Sequence, residues 1–457
     1  MSDLLKWLGG RKRASIALRI APMTERNTPL PRIDRIYAQP GPDGIVLYAG
    51  DLEVQTNAGL HRANGQIELH LFPKPWFGAH FKGPFRDLGP ISLSSDRRTV
   101  AIPANASLEP PPETTLTSGT LDGSWAEIRE SIGVITAGNL AAAERFVIHF
   151  AGALRPRFRS LQLVEGGHQG RIEFALPGWQ LTLVSVDHGD EEDFDGMIEA
   201  RPTGGSAVDE DIGRLRSRLF AVLGLVAGRE VGVGPICGIA ADSKVAWVEW
   251  GAPRNRVDPS AVRWCPPDLV PGALPAIASG YSAICGDNAR ETIVERAIEM
   301  LLSADSAEVV DVRIPVAGSG LELLSWAILR IELGMSKKKF KLLDAGEACA
   351  RLCDWAEIPT AVPESLPHLA DRLERLGKCD WGGPEIVFNV RNKLLHPPSS
   401  PKEPQWPNPD ELVDAWQLAT WYLQLSILRL LGYRGEYWSR LRLGRYGADT
   451  EPVPWAE

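Results

Sequence analysis

The sequence predicts an α+β multidomain protein, with a β-rich, antiparallel, sandwich-like N-terminal region followed by an all-α helical bundle. Three observations predict it. Before residue 205, polar and apolar residues alternate, as in 66–71 and 171–176. After residue 286 the apolar positions recur every three or four residues instead, as in Ile293, Ala297 and Leu301. Clusters of Gly, Pro, Asn and Asp punctuate the first part, whereas helix-capping signals punctuate the second. The 457 residues suffice for two or three domains.

Residues 1–205 are expected to form a β-rich sensing or binding region. Turns at 39–44 and 56–59 separate its strands, and Trp179, Leu181 and Leu183 alternate with Gln180 and Thr182. The Pro- and Thr-rich stretch 103–117 is long for a loop in a compact fold, which suggests a sub-boundary there. The acidic run 187–195 lacks the spacing and terminal Glu of a calcium loop and reads as a solvated hairpin or loop.

Residues 206–285 read as a mixed connecting region. A helix begins at Asp209 with Ile212, Leu215, Leu219 and Val222 on one side, and a strand follows at 245–250. The glycines of 232–238 have the wrong spacing for a dinucleotide loop; Pro235 interrupts them and no helix follows, which argues against a Rossmann site.

Residues 286–446 should form the bundle. One helix runs from Arg290, and Ser319 to Glu322 reads as a capping box opening a second that Gly334 closes. Further helices are expected over 340–357, 366–377 and 384–396. Asn408, Pro409, Asp410 and Glu411 then combine an N-cap, a first-turn proline and acids to launch the longest helix, 412–431. That helix is apolar around most of its circumference, as expected of a bundle centre, a dimer interface or both. Residues 432–438 read as a turn into a short closing helix, and 447–457 as a tail.

A hydrophobic content of 44% and a charged content of 23% describe a globular protein. The net charge of −9 argues against a broad nucleic-acid coat, but leaves room for a local basic cleft made from Arg429, Arg434, Arg440, Arg442 and Arg445. Tyr433, Tyr437 and Trp438 beside them are either core or stacking platforms for RNA bases. Six cysteines without a C-x-x-C pair give no zinc signature, and Cys349 and Cys353, one helical turn apart, read as buried thiols. No metal and no cofactor are expected. The first eight residues do not make a signal peptide, and the longest apolar run, 219–226, is far below membrane-spanning length. A cytoplasmic protein with no membrane partner follows.

The chemistry concentrates in Val390-Arg391-Asn392-Lys393-Leu394-Leu395-His396-Pro397. Arginine is a permanently charged, forked phosphate clamp, and histidine is the side chain suited to moving protons near neutral pH. His396 is the one histidine of eight with an arginine four to six intervening residues before it. The segment closes a helix opened by Pro384, and Pro397 and Pro398 end it. In a regular helix Arg391 and His396 point roughly 140° apart, whereas Asn392 and His396 share a face, so the distortion imposed by the two prolines would have to bring the histidine round.

This pattern resembles the R-x4-6-H motif of HEPN domains, helical bundles many of which are metal-independent ribonucleases acting as toxins or in anti-phage defence. The resemblance covers residues 290–445, and Asn392 matches the polar residue that usually follows the arginine. It implies cleavage of RNA by its own 2′-hydroxyl. His396 would move the protons, Arg391 would neutralise the phosphorane-like charge, and Asn392 would orient the histidine or a phosphate oxygen. It further implies a homodimer through the bundle, with the β-rich region sensing a phage or host trigger, as in abortive-infection proteins. Two alternatives stay open: a non-catalytic HEPN dimerisation or nucleotide-binding scaffold, and a β-domain ligand- or protein-binding module carried on a helical platform.

Overall fold

The computed structural model describes residues 30–33, 45–56, 59–70, 76–82, 98–101, 113–116, 118–121, 125–130, 134–152, 154, 156–158, 161–165, 167–185, 194–251, 263–396, 406–441 and 450–456. Its N-terminal half is built from antiparallel sheets and its C-terminal part from helices, an α+β fold.

Strands β1 (Ile45–Thr56) and β2 (Gly59–His70) pair antiparallel, the last pair being Thr56 with Gly59. With β3 (Trp76–Lys82), β4 (Arg98–Ala101), β5 (Glu113–Leu116), β6 (Ser118–Leu121) and β7 (Trp125–Glu130) they make a seven-stranded sheet in the order β5-β4-β1-β2-β3-β7-β6. The expected sub-boundary at 103–117 falls largely outside the described residues, between β4 and β5.

A second seven-stranded sheet starts at β8 (Val134–Gly138) and β9 (Arg145–Ala151). The short ribbon β10 (Gln162–Val164) and β11 (Gly167–Gln169) precedes β12 (Arg171–Leu176), β13 (Trp179–Ser185) and β14 (Gly196–Pro202). Helix α1 (Asp209–Ala227) then leads to β15 (Gly232–Ile239) and β16 (Val245–Gly251), giving the order β12-β13-β14-β9-β15-β16-β8. The region 206–285 is therefore no mere connection: it supplies two strands of a sheet begun seventy residues earlier. Periodicity identifies strands but not their partners, and β15 pairs back to β9 across α1. Strand β9 is buried on both faces, so its sequence is nearly continuous in apolar residues. In the acidic stretch 187–195 only the end is described, and there Asp195 is buried, accepting the Gly152 N–H at 2.7 Å.

Among the described residues, helices α2 (Val270–Ile284), α3 (Asn288–Ser306), α4 (Val310–Trp326), α5 (Ala345–Ala356), α6 (Pro367–Leu376), α7 (Gly383–Leu395) and α8 (Pro409–Leu430) form the C-terminal part. Helix α4 starts nine residues before the expected capping box. Ser319 lies inside it, its hydroxyl donating to the Pro315 carbonyl, and the helix runs through Pro315 into a π-helical segment, Ala327–Glu332, before Gly334 (φ +64°) ends it. The helix expected over 340–357 is also shorter. A single turn, Lys337–Phe340, precedes a reciprocal Asp344–Glu347 capping box, and α5 begins only there.

Helix α8 is buried on nearly every side within one chain, including Leu418, Ala419, Tyr422, Leu423, Leu425 and Ile427. Its apolar circumference thus makes it the bundle centre and needs no second chain to cover it. Beyond it, within the expected turn, residues 436–437 form a two-residue strand paired with 451–452; the closing helix expected after that turn falls largely outside the described residues. The expected tail is also tied down: the Trp455 indole is buried and donates to the Tyr433 carbonyl at 2.6 Å.

The second sheet, α1 and the bundle share one continuous apolar core. Arg218 of α1 pairs with Glu291 of α3 at 2.7 Å, and the Trp264 indole donates to the Leu225 carbonyl at 2.6 Å. The bundle is not an independent ball of helices.

Candidate functional site

Helix α7, which carries the motif, is held from three directions. At its start the Gly382 N–H donates to the Glu385 carboxylate at 3.0 Å. A Cβ on Gly383 would lie 2.2 Å from the Tyr422 hydroxyl oxygen, so only glycine lets α7 approach α8 this closely; a Cβ on Gly346 would similarly meet the Glu385 backbone at 2.9 Å. Midway along, the Asn389 side-chain oxygen accepts from Arg372 of α6 at 3.0 Å, and Arg372 pairs with Glu411 of α8 at 2.7 Å. Arg372 is 2% exposed and Glu411 0%, so this is a buried ion pair with its remaining valences filled by Asn389, Asn408 and Arg375. The network locks three helices in one register.

Arg391 lies on the opposite side of α7 and faces α4. Its guanidinium donates to Glu322 at 3.1 Å and to the Asn392 side-chain oxygen at 3.1 Å, while its stem passes over Gly318. His396 is the C-cap residue: it leaves the helical conformation (φ −120°, ψ 127°), and its N–H donates to the Asn392 carbonyl at 3.0 Å. The histidine is exposed, and among the described residues its ring makes no hydrogen bond or ion pair. The structure therefore brings Arg391 and Asn392 together, and among the described residues no hydrogen bond or ion pair joins the His396 ring to either. The prolines expected to swing it, Pro397 and Pro398, lie outside the described residues. Sequence reasoning placed Glu322 in a capping box; it is instead the residue that aims Arg391.

A second histidine escaped the sequence reading. His368, in the first turn of α6, has its ring Nδ1 3.2 Å from Asp414 of α8, and its N–H donates to the same carboxylate at 3.0 Å. Burial pushes Asp414 above the usual carboxylate range, with His368 and the backbone donors pulling it back. A half-exposed imidazole oriented by a buried carboxylate can accept and deliver protons. The partners are 46 residues apart in sequence, so no local motif announces them.

The expected basic cleft does not form from Arg429, Arg434 and Arg440. Arg440 is buried against Asp305 (2.8 Å), Thr420 and Gln424; Arg429 pairs with Glu357 at 2.5 Å; and Arg434 donates to the Trp455 carbonyl. Arg442 and Arg445 lie outside the described residues. Tyr433 and Tyr437 are core residues, with burial driving both hydroxyl pKa values upward. Cys349 and Cys353 are buried thiols. Among the described residues no group of three or more His, Cys, Asp or Glu side chains is placed to hold a metal ion. On the second sheet, Glu173, Gln180, Thr182, Glu199 and Arg201 line an open depression of about 450 Å³, where Glu199 is already neutralised by Arg145 (3.1 Å) and Arg201 (2.8 Å).

The family described as the YopA C-terminal domain matches residues 287–451. Over 443 residues the chain is 22% identical to the SPbeta prophage-derived uncharacterized protein YopA of Bacillus subtilis (strain 168), covering 90% of this chain and 95% of that protein. No solved structure matches. Among the described residues one helical stretch, Val310–Glu332, is long and apolar enough to cross a membrane by length and composition, longer than the apolar run 219–226 expected to be the longest, but 56% of its most apolar window is buried inside the fold. Ile314, Ala317, Leu321, Leu324 and Ile328 account for that burial, as in a bundle core helix.

Proposed function

We propose that this chain is a metal-independent endoribonuclease of the HEPN type, acting in the cytoplasm as a toxin or anti-phage effector. The observation that carries the reading is the end of α7: an arginine aimed by Glu322 and Asn392, followed within five residues by an exposed histidine at the helix exit. In the proposed reaction the RNA 2′-oxygen attacks the adjacent phosphorus and the bond to the 5′-oxygen breaks. One imidazole takes the 2′-proton and a second acid protonates the departing oxygen, leaving a 2′,3′-cyclic phosphate and a 5′-hydroxyl. Arg391 offsets the charge that builds on the phosphorane oxygens.

Because no bond joins the His396 ring to Arg391 within one chain, the active form in this proposal is a homodimer in which Arg391 of one copy and His396 of the other meet across a cleft. Similarity to a prophage-derived protein supports a role in conflict between phages and hosts. Mixing tests the composite site. R391A and H396A homodimers should each be inactive, and subunit exchange between them should restore cleavage, since one of the two sites in each heterodimer is intact. A mixture that stays dead, after exchange is shown by labelled subunits, contradicts the composite site.

The engagement of Arg391 by Glu322 within a single chain also favours a second reading, a dimerisation or nucleotide-binding scaffold. In that case neither parent nor mixture cuts RNA, while the folded dimer persists.

A further inference from the structure

We infer that the knuckle between α4 and α5, residues 326–342, is a docking surface for an anionic lipid bilayer. Two observations meet there. The first is charge: Lys337, Lys338, Lys339 and Lys341 occupy four of five consecutive positions, all are exposed, and among the described residues none pairs with a carboxylate. The acids that flank them in sequence are engaged elsewhere, Glu332 with Arg290 at 2.9 Å and Asp344 with the N–H of Glu347. The second is exposed apolar surface in the same knuckle: Leu342 at 77%, with Leu333, Ile331 and Trp326 also exposed.

The knuckle is built, not frayed. The Arg330 guanidinium donates to the Met335 carbonyl, Met335 N–H returns to the Leu329 carbonyl at 2.8 Å, and Ser336 caps the lysine-bearing turn. Gly334 reverses the chain, so Ile331 and Leu333 come before the turn and Leu342 after it. A buried helix thus ends in a short hydrogen-bonded connection whose exposed side chains, within seventeen residues, include both cations and aliphatic groups.

The chemistry selects the occupant. A polynucleotide would neutralise the lysines but offers aliphatic side chains no apolar phase, and phosphate readers favour the forked arginine over the point charge of lysine. A second copy placed face to face would oppose eight lysines. A bilayer with anionic headgroups satisfies both features, since a smeared negative surface potential attracts unpaired lysines and the interface accepts Leu342 and Leu333 at shallow depth. This is attachment to a membrane surface, with α4 remaining in the bundle core. It does not depend on ribonuclease activity.

The test is co-flotation of the full chain with vesicles of phosphatidylcholine containing about 30% phosphatidylglycerol, against vesicles of phosphatidylcholine alone. The parent should float with the anionic vesicles only, and added salt should weaken it. Replacing all four lysines with glutamine should lower partitioning by about tenfold or more, at roughly fivefold per lysine as an upper bound. L333S/L342S should lower it several-fold while leaving the salt dependence in place. Unchanged thermal melting shows that both variants fold, as their exposure requires. The inference is overturned if the parent ignores anionic vesicles, or if the glutamine variant floats like the parent. It is equally overturned if the lysines prove to govern only RNA retention or only self-association.

Discussion

At position 391 the guanidinium is committed twice, to Glu322 and to Asn392, which fixes where its charge can act. Loss of that anchor should matter more to rate than to binding. E322A is expected to lower kcat by about tenfold with little change in KM, because Arg391 is left unaimed but still charged. H396A should abolish cleavage without shifting the melting temperature, as expected for an exposed ring, whereas R391A should cost about 1 kcal/mol in stability as well. A cleavage-competent H396A would remove the catalytic assignment. Asp414 gives a separate test by pH. Its folded pKa is raised by burial, so the stability it contributes is fully present below the unfolded carboxylate value, about 3.9, and is lost as pH rises through the folded value. D414N, which keeps a carbonyl acceptor, should therefore gain on the parent in thermal melts as pH rises through that window; parallel profiles would contradict the shift. The motif residues were legible in sequence because Arg391, Asn392 and His396 fall within six consecutive residues. Glu322 and the His368–Asp414 pair were not, since each partner comes from a different helix.

Among the elements, α6, α7 and α8 are joined through the buried Arg372–Glu411 pair and its bond to Asn389. Breaking one side strands a fully buried carboxylate that Arg375 only partly compensates, so R372M should destabilise the fold by about 3 kcal/mol. The double replacement R372M/E411L should recover more than half of that in denaturant melts. A single variant as stable as the parent would show that the network holds nothing. The helices with strong end signals were legible nearly to the residue: Asn408 and Pro409 open α8, Gly377 closes α6, and Pro384 and His396 bracket α7. The start of α4 was hidden because Ser319 and Glu322 have the spacing of a capping box inside it; Pro315 is tolerated because, near the N-terminus of a helix, its missing N–H removes only one backbone bond. The break at 341–344 was hidden by continuous apolar and basic residues, although Asp344 and Glu347 spell a capping box.

For the whole molecule, the shared core between the second sheet and the bundle decides which part can act alone. A fragment beginning near Gly286 would lose the Arg218–Glu291 pair and expose the face that α1 covers, so it should be unstable rather than hyperactive. A fragment beginning at residue 134 retains that core and should unfold cooperatively, which thermal melts of the two fragments can compare. The α+β class and the strand-to-helix order were legible from the change of apolar period. The reach of the second sheet across α1 was not, because strand pairing between residues far apart leaves no local trace. The central claim is chemical and is tested most directly by incubating purified parent and H396A proteins with RNA and with its 2′-O-methyl counterpart, in EDTA, and identifying the product ends. The account predicts that only the parent cuts, only unmodified RNA is cut, and the products carry a 2′,3′-cyclic phosphate and a 5′-hydroxyl. Cleavage of the methylated strand, or equal cleavage by H396A, would contradict it.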